Sequence, residues 1–412
     1  MKIVIILILI LTHSLTSTAQ WTSNTITGAQ GIKSIVSMGN DLFASTGFTG
    51  NAAGVVKSTN NGNSWFQINS GLPTTRIKKL IVVGTTLFAG ADYDPSGGEG
   101  VYKSVNNGQS WTLSSTGLVT TDREVEAFAT NGSMVFVSCL AEKVYRSTNN
   151  GASWENFHQG LPIFETADGG LLVHGSNIYL ASTNITTSSI WKRSVNGGSN
   201  WINIYTTPTG FIDGLFSYGN KIYAVGDKGI LTSTNDGSTW TQIYDQYTKC
   251  LTVSGSSVNA GTYARGVQIN NGGSWISGNN GLNSNPIILS ICILNNNIFF
   301  GQVGNKIWKA NMNTIGVKNI SNEIPAEFNL SQNYPNPFNP ATKIKFDLIK
   351  SGLVKLIVYD ILGKEVATLV NENLSPGSYE TDFDGSNLTS GVYFYRIETK
   401  EFKQVRKLIL NK

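Results

Sequence analysis

The amino-acid sequence predicts an all-β protein, and three observations support this prediction. The chain is 40% hydrophobic and only 14% charged, with 44 Gly, a composition that favours many short strands joined by tight turns. A phrase of eight residues ending in Trp recurs at intervals of 35 to 47 residues, and a second kind of turn recurs seven times. Because this period is typical of one four-stranded blade, we predict a seven-bladed β-propeller followed by a small Ig-like β-sandwich.

The N-terminus predicts export. Lys2 precedes an unbroken apolar run over residues 3–11, and small residues at 17–19 offer a cleavage site before Gln20. The run is too short to span a bilayer, so residues 1–19 are interpreted as a removable signal peptide. A buried N-terminal strand is the alternative. No later segment reaches the roughly 20 apolar residues of a membrane helix, so no span is expected in the mature chain.

The eight-residue unit, which we call the repeat phrase, covers residues 58–65, 104–111, 147–154, 194–201, 233–240 and, in degenerate form, 268–275. Its Asn can hydrogen-bond backbone amides ahead of it, and its Gly supplies the positive φ that the turn needs. Its Trp opens the outer strand and can bury its ring. We therefore predict structural roles for Asn60, Trp65, Asn106, Trp111, Asn149, Trp154, Asn196, Trp201, Asn235, Trp240, Asn270 and Trp275.

The second kind of turn belongs to the inner half of each repeat and lies near residues 39, 84, 132, 175, 219, 255 and 295. The seventh copy has no repeat phrase after it. Residues 21–23 (Trp-Thr-Ser) are similar to residues 111–113 (Trp-Thr-Leu), so the N-terminal strand is expected to complete the last blade. Such closure leaves no open sheet edge. The predicted propeller spans residues 20–311.

The repeat phrase resembles the Asp-box, or BNR, repeat, whose family form is S-x-D-x-G-x-x-W. Asn replaces Asp in all six copies, which keeps the turn but removes a charge and disfavours calcium binding. The repeats are also similar to those of sortilin-type receptors, which bind peptides, and of photosystem-II assembly-factor-like propellers, which are scaffolds. This resemblance implies a fold and leaves the ligand open.

The repeats stop after residue 311, and a polar linker is predicted over residues 312–327. Three prolines between residues 335 and 340 then force an extended chain. The segments that follow alternate apolar and polar residues, which predicts a small antiparallel sandwich over residues 328–412.

This tail resembles the type A C-terminal sorting domain of the type IX secretion system. The residues that carry the similarity are Pro335, Asn336, Pro337, Phe338, Tyr359, Asp360, Gly363, Gly391, Tyr393 and Lys407. The resemblance implies recognition by the type IX machinery and export, through the periplasm, to the exterior or outer surface of a Gram-negative bacterium. It also implies that the domain is usually removed afterwards. An adhesive Ig-like module is the alternative.

The sequence contains no complete catalytic constellation, so an enzyme is not expected. Only His158 and His174 follow the signal peptide, and they lie in different repeats. Cys139, Cys250 and Cys292 show no CxxC spacing, so no metal site is predicted, and buried thiols are favoured over a Cys250–Cys292 disulfide. No phosphate loop or dinucleotide fingerprint occurs, so no cofactor is predicted. The net charge of +4 without a basic run argues against nucleic-acid binding.

Because Asp-box propellers include glycosidases, a secreted glycoside hydrolase acting on polysaccharide is the alternative function. A sialidase is disfavoured, since Arg146 and Arg193 occupy a repeated position where other repeats have Lys, and few arginines remain. Other glycosidases need two carboxylates facing one cleft. The candidates at the starts of inner strands are Glu124, Glu126, Asp168 and Asp213.

One position at the start of the inner strands carries residues of both charges in successive repeats: Lys33, Lys78, Glu126, Gly169, Asp213, Lys249 and Leu289. Inner strands line the central channel of a propeller. The plain interpretation is a solvated channel whose charges partly neutralise one another. The functional interpretation is a site for a polar ligand or peptide, with the five charged residues as candidates. We predict a secreted or cell-surface binding or scaffold protein, and the ligand could be a peptide, a protein or a glycan.

Overall fold

The computed structural model describes residues 21–412 except 48–51, 93–97, 99, 120–123, 141–142, 163–168, 184–186, 198–199, 208–209, 256, 271–274, 280–281, 283–285, 313–316, 322 and 386–387. The predicted signal peptide lies outside the described residues. Strands and turns make up the described chain, which contains no α-helix. It divides into two compact units, Trp21–Gly316 and Val317–Lys412. The predicted all-β class is confirmed.

The described part of the first unit contains seven antiparallel sheets of four strands each. The innermost strands of these sheets are β2 (Ser34–Met38), β6 (Ile77–Val83), β10 (Val125–Thr130), β14 (Leu171–His174), β18 (Ile212–Tyr218), β22 (Thr248–Ser254) and β26 (Ile288–Leu294). The second strands are β3 (Asp41–Ser45), β7 (Thr86–Ala91), β11 (Val135–Cys139), β15 (Asn177–Thr183), β19 (Lys221–Gly226), β23 (Ser257–Thr262) and β27 (Asn297–Gln302).

The repeat phrase follows the third strand of a sheet and leads into the outermost one. The third strands are β4 (Val55–Ser58), β8 (Val101–Ser104), β12 (Lys143–Ser147), β16 (Ser188–Ser194), β20 (Gly229–Ser233), β24 (Val267–Asn270) and β28 (Lys306–Asn311). The outermost strands are β5 (Phe66–Gln67), β9 (Thr112–Leu113), β13 (Glu155–Asn156), β17 (Ile202–Thr206), β21 (Thr241–Tyr244), β25 (Ile276–Ser277) and β1 (Thr22–Thr25).

The innermost strands form a closed cycle. Each contacts the innermost strand of the next sheet, and β26 contacts β2. The hydrophobic core is accordingly divided among the interfaces between neighbouring sheets. At one interface, buried Tyr179 and Ala181 of β15 pack against Ile212 and Leu215 of β18. Each sheet therefore buries its apolar faces against its two neighbours, as stacked repeats do.

The N-terminal strand completes the last sheet. β1 pairs with β28 in antiparallel register, with Ser23 opposite Trp308. Trp21, directly before β1, is 2% exposed and donates its indole N–H to the Gly278 carbonyl oxygen, 2.6 Å away. The prediction that the N-terminal strand completes the last sheet is thus confirmed.

The second unit consists of two four-stranded antiparallel sheets. The strand order of one is β29 (Val317–Ser321), β34 (Gly377–Asp384), β31 (Ala341–Leu348) and β30 (Asn329–Leu330). The order of the other is β33 (Glu365–Leu374), β32 (Gly352–Tyr359), β35 (Gly391–Glu398) and β36 (Lys403–Leu410). One shared core of buried side chains, including Phe346 and Tyr395, joins the two sheets.

The start of the second unit differs from the sequence prediction. Residues 312–327 were expected to be a linker, but β29 lies within this segment and pairs with β34, with Lys318 opposite Glu380. A strand of five residues between stretches of polar chain gives too short a pattern to distinguish from a loop. This strand depends on pairing with the otherwise free edge of β34, which the local sequence does not reveal.

Candidate functional site

The repeat phrase builds the same hydrogen-bonded turn in four copies, those that begin at residues 58, 104, 147 and 233. In the second copy, Asn106 Oδ1 accepts from Ser104 Oγ at 2.8 Å and from the Ser110 N–H at 3.0 Å. Asn106 Nδ2 donates to Ser110 Oγ at 2.9 Å, and the Gly108 N–H donates to Ser104 Oγ at 2.9 Å. The Asn is therefore occupied within its own turn, which supports a structural role.

The Trp residues of the phrase link neighbouring sheets. The indole N–H groups of Trp111, Trp154, Trp201 and Trp275 donate to backbone carbonyls at or beyond the outermost strand of the preceding sheet, at 2.6 to 2.8 Å. Trp240 donates within its own phrase, and Trp65 Nε1 is buried without a partner among the described residues. Residues 198–199 and 271–274, inside the phrases of Asn196 and Asn270, lie outside the described chain.

The repeated basic position also serves the fold. Arg146 donates to the Val195 carbonyl at 2.8 Å, and Arg193 donates to the Phe157 carbonyl at 2.6 Å. Both guanidinium groups lie over the Phe157 ring, 4.8 and 4.0 Å from its centroid. These contacts support the interpretation that Arg146 and Arg193 are structural and do not form a carboxylate-binding cluster. Arg123 lies outside the described residues.

The starts of the inner strands contain a second repeated feature. In five sheets the pairing of the two innermost strands shifts by one residue, and the extra residue is Lys78, Glu126, Asp213, Lys249 or Leu289. These are the positions aligned in the sequence, and we call them the bulge positions. Lys33 directly precedes β2, and Gly169 lies shortly before β14. A β-bulge re-aims side chains, so it gives successive sheets a common way to change the direction of a residue at the start of the inner strand.

Two ion-paired groups form among the bulge positions. Lys78 Nζ lies 2.6 Å from Glu126 Oε1, 2.9 Å from Glu124 Oε1 and 3.9 Å from Asp92 Oδ1. Burial alone would lower the pKa of Lys78, but these carboxylates outweigh it and raise the pKa. Lys249 Nζ lies 2.6 Å from Asp213 Oδ1, and this carboxylate likewise raises the Lys249 pKa against the effect of burial.

At two further lysines of the inner strands, Lys33 and Lys79, the surroundings disfavour the protonated form and lower the pKa. Burial lowers the pKa of Lys33 to about 8. Burial and the neighbouring Lys78 lower the pKa of Lys79. Lys79 interacts electrostatically with Glu126, Asp213 and Cys250, which belong to three other sheets, so its side chain lies where the inner strands converge.

Lys79 is a residue that the sequence analysis missed. Strict alternation along β6 would place it on the opposite face from Lys78. The bulge between Ile77 and Lys79 breaks that alternation and allows both lysines to approach charged residues of other sheets. The two consecutive lysines are the only sequence signal, and they indicate nothing until the bulge is known.

Unsatisfied polar atoms accompany the charges. Asp213 Oδ2 is buried and has no hydrogen-bond partner among the described residues, although Oδ1 is held by Lys249. Lys79 makes no ion pair within the described chain. Beside Lys249, the rings of Tyr247 and Tyr263 stack 4.9 Å apart, and the Lys249 ammonium lies 4.7 Å from the centroid of Tyr247. This cluster thus offers a carboxylate oxygen, a cation and an aromatic surface.

Two of the carboxylates predicted as catalytic candidates share one lysine, and a third pairs with a lysine of another sheet. Glu124 and Glu126 share Lys78, whereas Asp213 pairs with Lys249 on a different sheet. Asp168 lies outside the described residues. The described residues contain no group of three or more His, Cys, Asp or Glu arranged to hold a metal ion.

The three cysteines are free thiols, so the alternative disulfide between Cys250 and Cys292 is not formed. Burial raises the pKa of the Cys250 thiol to about 12 and that of Cys292 to about 11. Among the described residues, no helix has the length and apolar character needed to cross a bilayer.

The tail motifs first serve the fold of the second unit. The side chain of Asn336 accepts the Ile409 N–H at 2.9 Å, and the Phe338 N–H donates to the Ile409 carbonyl at 2.9 Å. The segment containing Pro335 and Pro337 therefore covers the free edge of β36 near its C-terminal end. Tyr393 is 6% exposed, and its hydroxyl donates to the Thr389 carbonyl at 2.8 Å.

The remaining tail residues lie near the second sheet's surface. Tyr359 ends β32, Asp360 and Gly363 form the turn that follows, and Gly391 begins β35. Lys407 is exposed on β36, opposite Phe394. Motif residues thus fall into two classes, those that fix the fold and those that reach the surface.

Comparison with known proteins identifies the second unit. Residues 332–411 match the family described as the secretion system C-terminal sorting domain. A search of curated proteins found no match for the chain. A domain of this family indicates export to the cell surface or the extracellular space.

Comparison with solved structures identifies the fold of the first unit. YCF48 bound to D1 peptide is 13% identical, with a TM-score of 0.55 over 71% of this chain and 96% of that one. YCF48 from Cyanidioschyzon merolae is 13% identical, with a TM-score of 0.53 over 71% and 99%.

The extracellular domain of the putative hybrid two component system BT4673 from B. thetaiotaomicron is 14% identical, with a TM-score of 0.55. The match covers 86% of this chain and 47% of that one, so this chain spans about half of its length. At these identities the similarity concerns fold alone. Residues 332–411 are therefore a secretion system C-terminal sorting domain, and the unit that precedes them has the fold of a β-propeller.

Proposed function

We propose that this protein is an extracellular or cell-surface binding or scaffold protein whose seven sheets are seven blades of a propeller, and that its ligand binds where the inner strands begin. The observation that carries this proposal is the set of bulge positions, where charged side chains of both signs converge with groups left unsatisfied. Four lysines (Lys33, Lys78, Lys79 and Lys249) stand near four acids (Asp92, Glu124, Glu126 and Asp213). Such a site suits a ligand that carries both donors and acceptors.

An extended peptide fits these requirements best. A backbone N–H can donate to Asp213 Oδ2, and a backbone carbonyl or a carboxylate can accept from Lys79. The stacked pair of Tyr247 and Tyr263 offers an apolar surface for a side chain. One structurally similar propeller, YCF48, has been solved with a peptide, which supports the same ligand class for this chain. The similarity to sortilin-like repeats agrees with this choice.

The binding experiment uses the full chain and a panel of immobilised peptides and glycans. We expect retention of peptides, with affinity falling at least tenfold on Lys79→Ala and on Asp213→Asn, because each change removes one unsatisfied partner. Lys221→Ala is the matched control, since Lys221 is exposed at the far end of β18 and β19. Equal affinity of all three variants would contradict the proposed location.

The same panel tests the alternative of a glycoside hydrolase. Glu124 and Glu126 both contact Lys78 Nζ, so both carboxylates are engaged by one ammonium group, whereas a glycosidase needs them on either side of the scissile bond. We therefore expect no turnover of any glycan. Hydrolysis that disappears on Glu126→Gln or Asp213→Asn would establish the enzyme and overturn the binding proposal.

A second proposal, based on the sorting domain, concerns the export of the chain. Residues 1–19 direct passage across the inner membrane, and the type IX machinery then recognises the tail, an Ig-like sandwich that begins at β29. The propeller completes its last sheet with β1 and needs no strand of the tail. Deleting residues 317–412 should thus leave a folded propeller in the periplasm, whereas export of the truncated chain would refute the sorting role.

The cleavage that follows export is a separate point. We expect the mature extracellular form to end between β28 and β29, within residues 312–316, because a cut there separates the propeller from the tail without dividing a strand of either. Mass spectrometry of the native extracellular protein measures the C-terminus directly. Detection of Lys412 on most of the secreted molecules would rule out processing.

A further inference from the structure

The turn after β32 presents two large apolar side chains to solvent. Asp360 Oδ1 accepts the N–H groups of Leu362 and Lys364, both at 2.9 Å, and the Gly363 N–H donates to the Asp360 carbonyl at 3.0 Å. Gly363 has a φ of 79°, which favours glycine. Ile361 is 71% exposed and Leu362 is 88% exposed. These internal hydrogen bonds hold the Ile361 and Leu362 side chains in solvent. Neither side chain therefore adds much buried apolar area to the domain.

A groove lies beside this turn on the outer face of the second sheet. Its volume is about 260 Å³, and its lining includes Tyr359, Phe394, Arg396 and Val405 together with Ile361. Tyr359 is opposite Phe394, and Arg396 is opposite Val405, so the four side chains form one block across three strands. Phe394 is 37% exposed and Val405 is 51% exposed, whereas the alternate residues of β35 point into the core. An apolar patch of this kind commonly marks an interaction surface.

The charge around the groove is mainly positive. The same sheet face carries exposed Lys355, Lys403 and Lys407, against Glu398 and against Asp360 in the groove lining. The Arg396 guanidinium lies 4.8 Å from the centroid of the Tyr359 ring, and its nearest carboxylate, Glu398, is 3.4 Å away. Arg396 Nε is buried and has no acceptor among the described residues. The groove therefore complements an apolar group that has a carboxylate beside it.

We propose that this groove is the surface through which the secretion machinery recognises the tail, and that its occupant is a protein segment with an apolar side chain next to an Asp or Glu. The proposal rests on the sorting role of the domain. The apolar side chain enters between Phe394 and Val405, and the carboxylate reaches Arg396. A groove of this volume has room for one or two side chains, which favours a protein segment over a flat lipid surface.

The proposal assigns different roles to two groups of tail-motif residues. Asn336 and Phe338 secure the edge of β36, whereas Tyr359, Asp360 and Gly363 shape the groove and its turn. On this view the second group supplies contacts to the partner, and the first keeps the sheet in the form that the partner binds.

The test measures export of the full chain in its native host. The double variant Ile361→Ser/Leu362→Ser and the single variant Val405→Glu should each lower the extracellular fraction at least tenfold, with the chain retained in the periplasm. Tyr334→Ser is the matched control, because Tyr334 is 82% exposed in the same unit and does not line the groove. Thermal unfolding of each purified variant must match that of the unchanged protein, since these side chains lie outside the core.

Three results would overturn the proposal in distinguishable ways. Normal export of the groove variants, while deletion of residues 317–412 blocks export, would reject the groove and leave the sorting role intact. Export of the deleted chain would reject the sorting role itself. Binding of the purified chain to vesicles containing anionic lipid, abolished by Val405→Glu, would assign the groove to a membrane instead of a protein.

Discussion

The repeat phrase and the bulge positions recur around the same propeller, yet they are built in opposite ways. In the phrase, Asn106 and Ser104 satisfy one another within a single turn, and three other copies repeat the same bonds. At the bulge positions the backbone geometry recurs but the side chains differ, and their partners lie on other sheets. The first region repeats its contacts, whereas the second repeats only its geometry.

This difference separates stability from recognition. A polar group bonded inside its own turn has no capacity left for a ligand, so its contribution is to the fold. A carboxylate oxygen such as Asp213 Oδ2, buried without a donor, costs stability in the free protein and gains a partner on binding. Residues of the first kind should therefore affect unfolding, and those of the second kind should affect binding.

The largest effect that tests this separation is expected from Trp111→Ala. Trp111 is 3% exposed and bridges two sheets through Ile68, so its truncation should lower the free energy of unfolding by about 3–5 kcal/mol. Urea unfolding of the full chain measures the change. Peptide affinity of the folded fraction should remain as it was. An unchanged stability combined with lost binding would reverse the roles assigned to the two regions.

A smaller effect, dependent on pH, is expected from Lys33→Met. The pKa of Lys33 in the folded protein, about 8, is below its usual 10.5, so below pH 8 the folded state bears the full cost of a buried cation. Since one pKa unit corresponds to about 1.4 kcal/mol, the difference between 10.5 and about 8 should make the variant more stable at pH 7 by up to about 3.5 kcal/mol. As pH rises from 8 to 10.5 the wild type regains this stability, and the difference should fade.

The measurement is urea unfolding of both proteins at pH 7, 9 and 10. Cys250 and Cys292 titrate in the opposite sense, because their raised pKa values make the folded state lose stability above pH 9. Both proteins contain these thiols, so the difference between them isolates Lys33. A difference that stays constant from pH 7 to pH 10 would show that Lys33 is not held as a buried cation.

The smallest expected effect is the difference in stability cost between the same Trp substitution in two copies of the repeat phrase. Trp111→Phe removes an indole N–H that donates to Ile68 at 2.7 Å, whereas Trp65→Phe removes one that is buried without an acceptor. We expect the first change to cost about 1 kcal/mol more than the second, the usual worth of one hydrogen bond. Equal costs in thermal unfolding would mean that the Trp residues act through packing alone.

Local patterns in the chain were sufficient for much of the architecture. The turn near residue 219 follows from a Gly between two strands, and Gly219 has a φ of 58° with open space around it. The corresponding turn of the last sheet uses Asn295 and Asn296, both with positive φ. The position of Trp21 in the last sheet followed from the similarity of residues 21–23 to residues 111–113. Each of these inferences needs only a short window of sequence.

The tail also contains features that the sequence predicted and features that it did not. Its motifs and alternating strands pointed to a sorting domain, and residues 332–411 match that family. The strand over residues 317–321 escaped prediction because it depends on a partner, β34, that lies about 60 residues away. The groove beside Asp360 was equally invisible, since its walls come from three strands that the fold brings together.

The sequence by itself determined the repeat period, the chemistry of both kinds of turn, the closing strand and the tail, because these depend on neighbours within a few residues or on similarity between repeats. Only the tertiary structure decided that Lys78 meets Glu126, 48 residues away, that Asp213 keeps one oxygen unsatisfied, and that Lys79 faces its partners at all. The physical reason is the bulge. One extra residue in an inner strand reverses the expected alternation, and a closed ring then fixes which charges become neighbours.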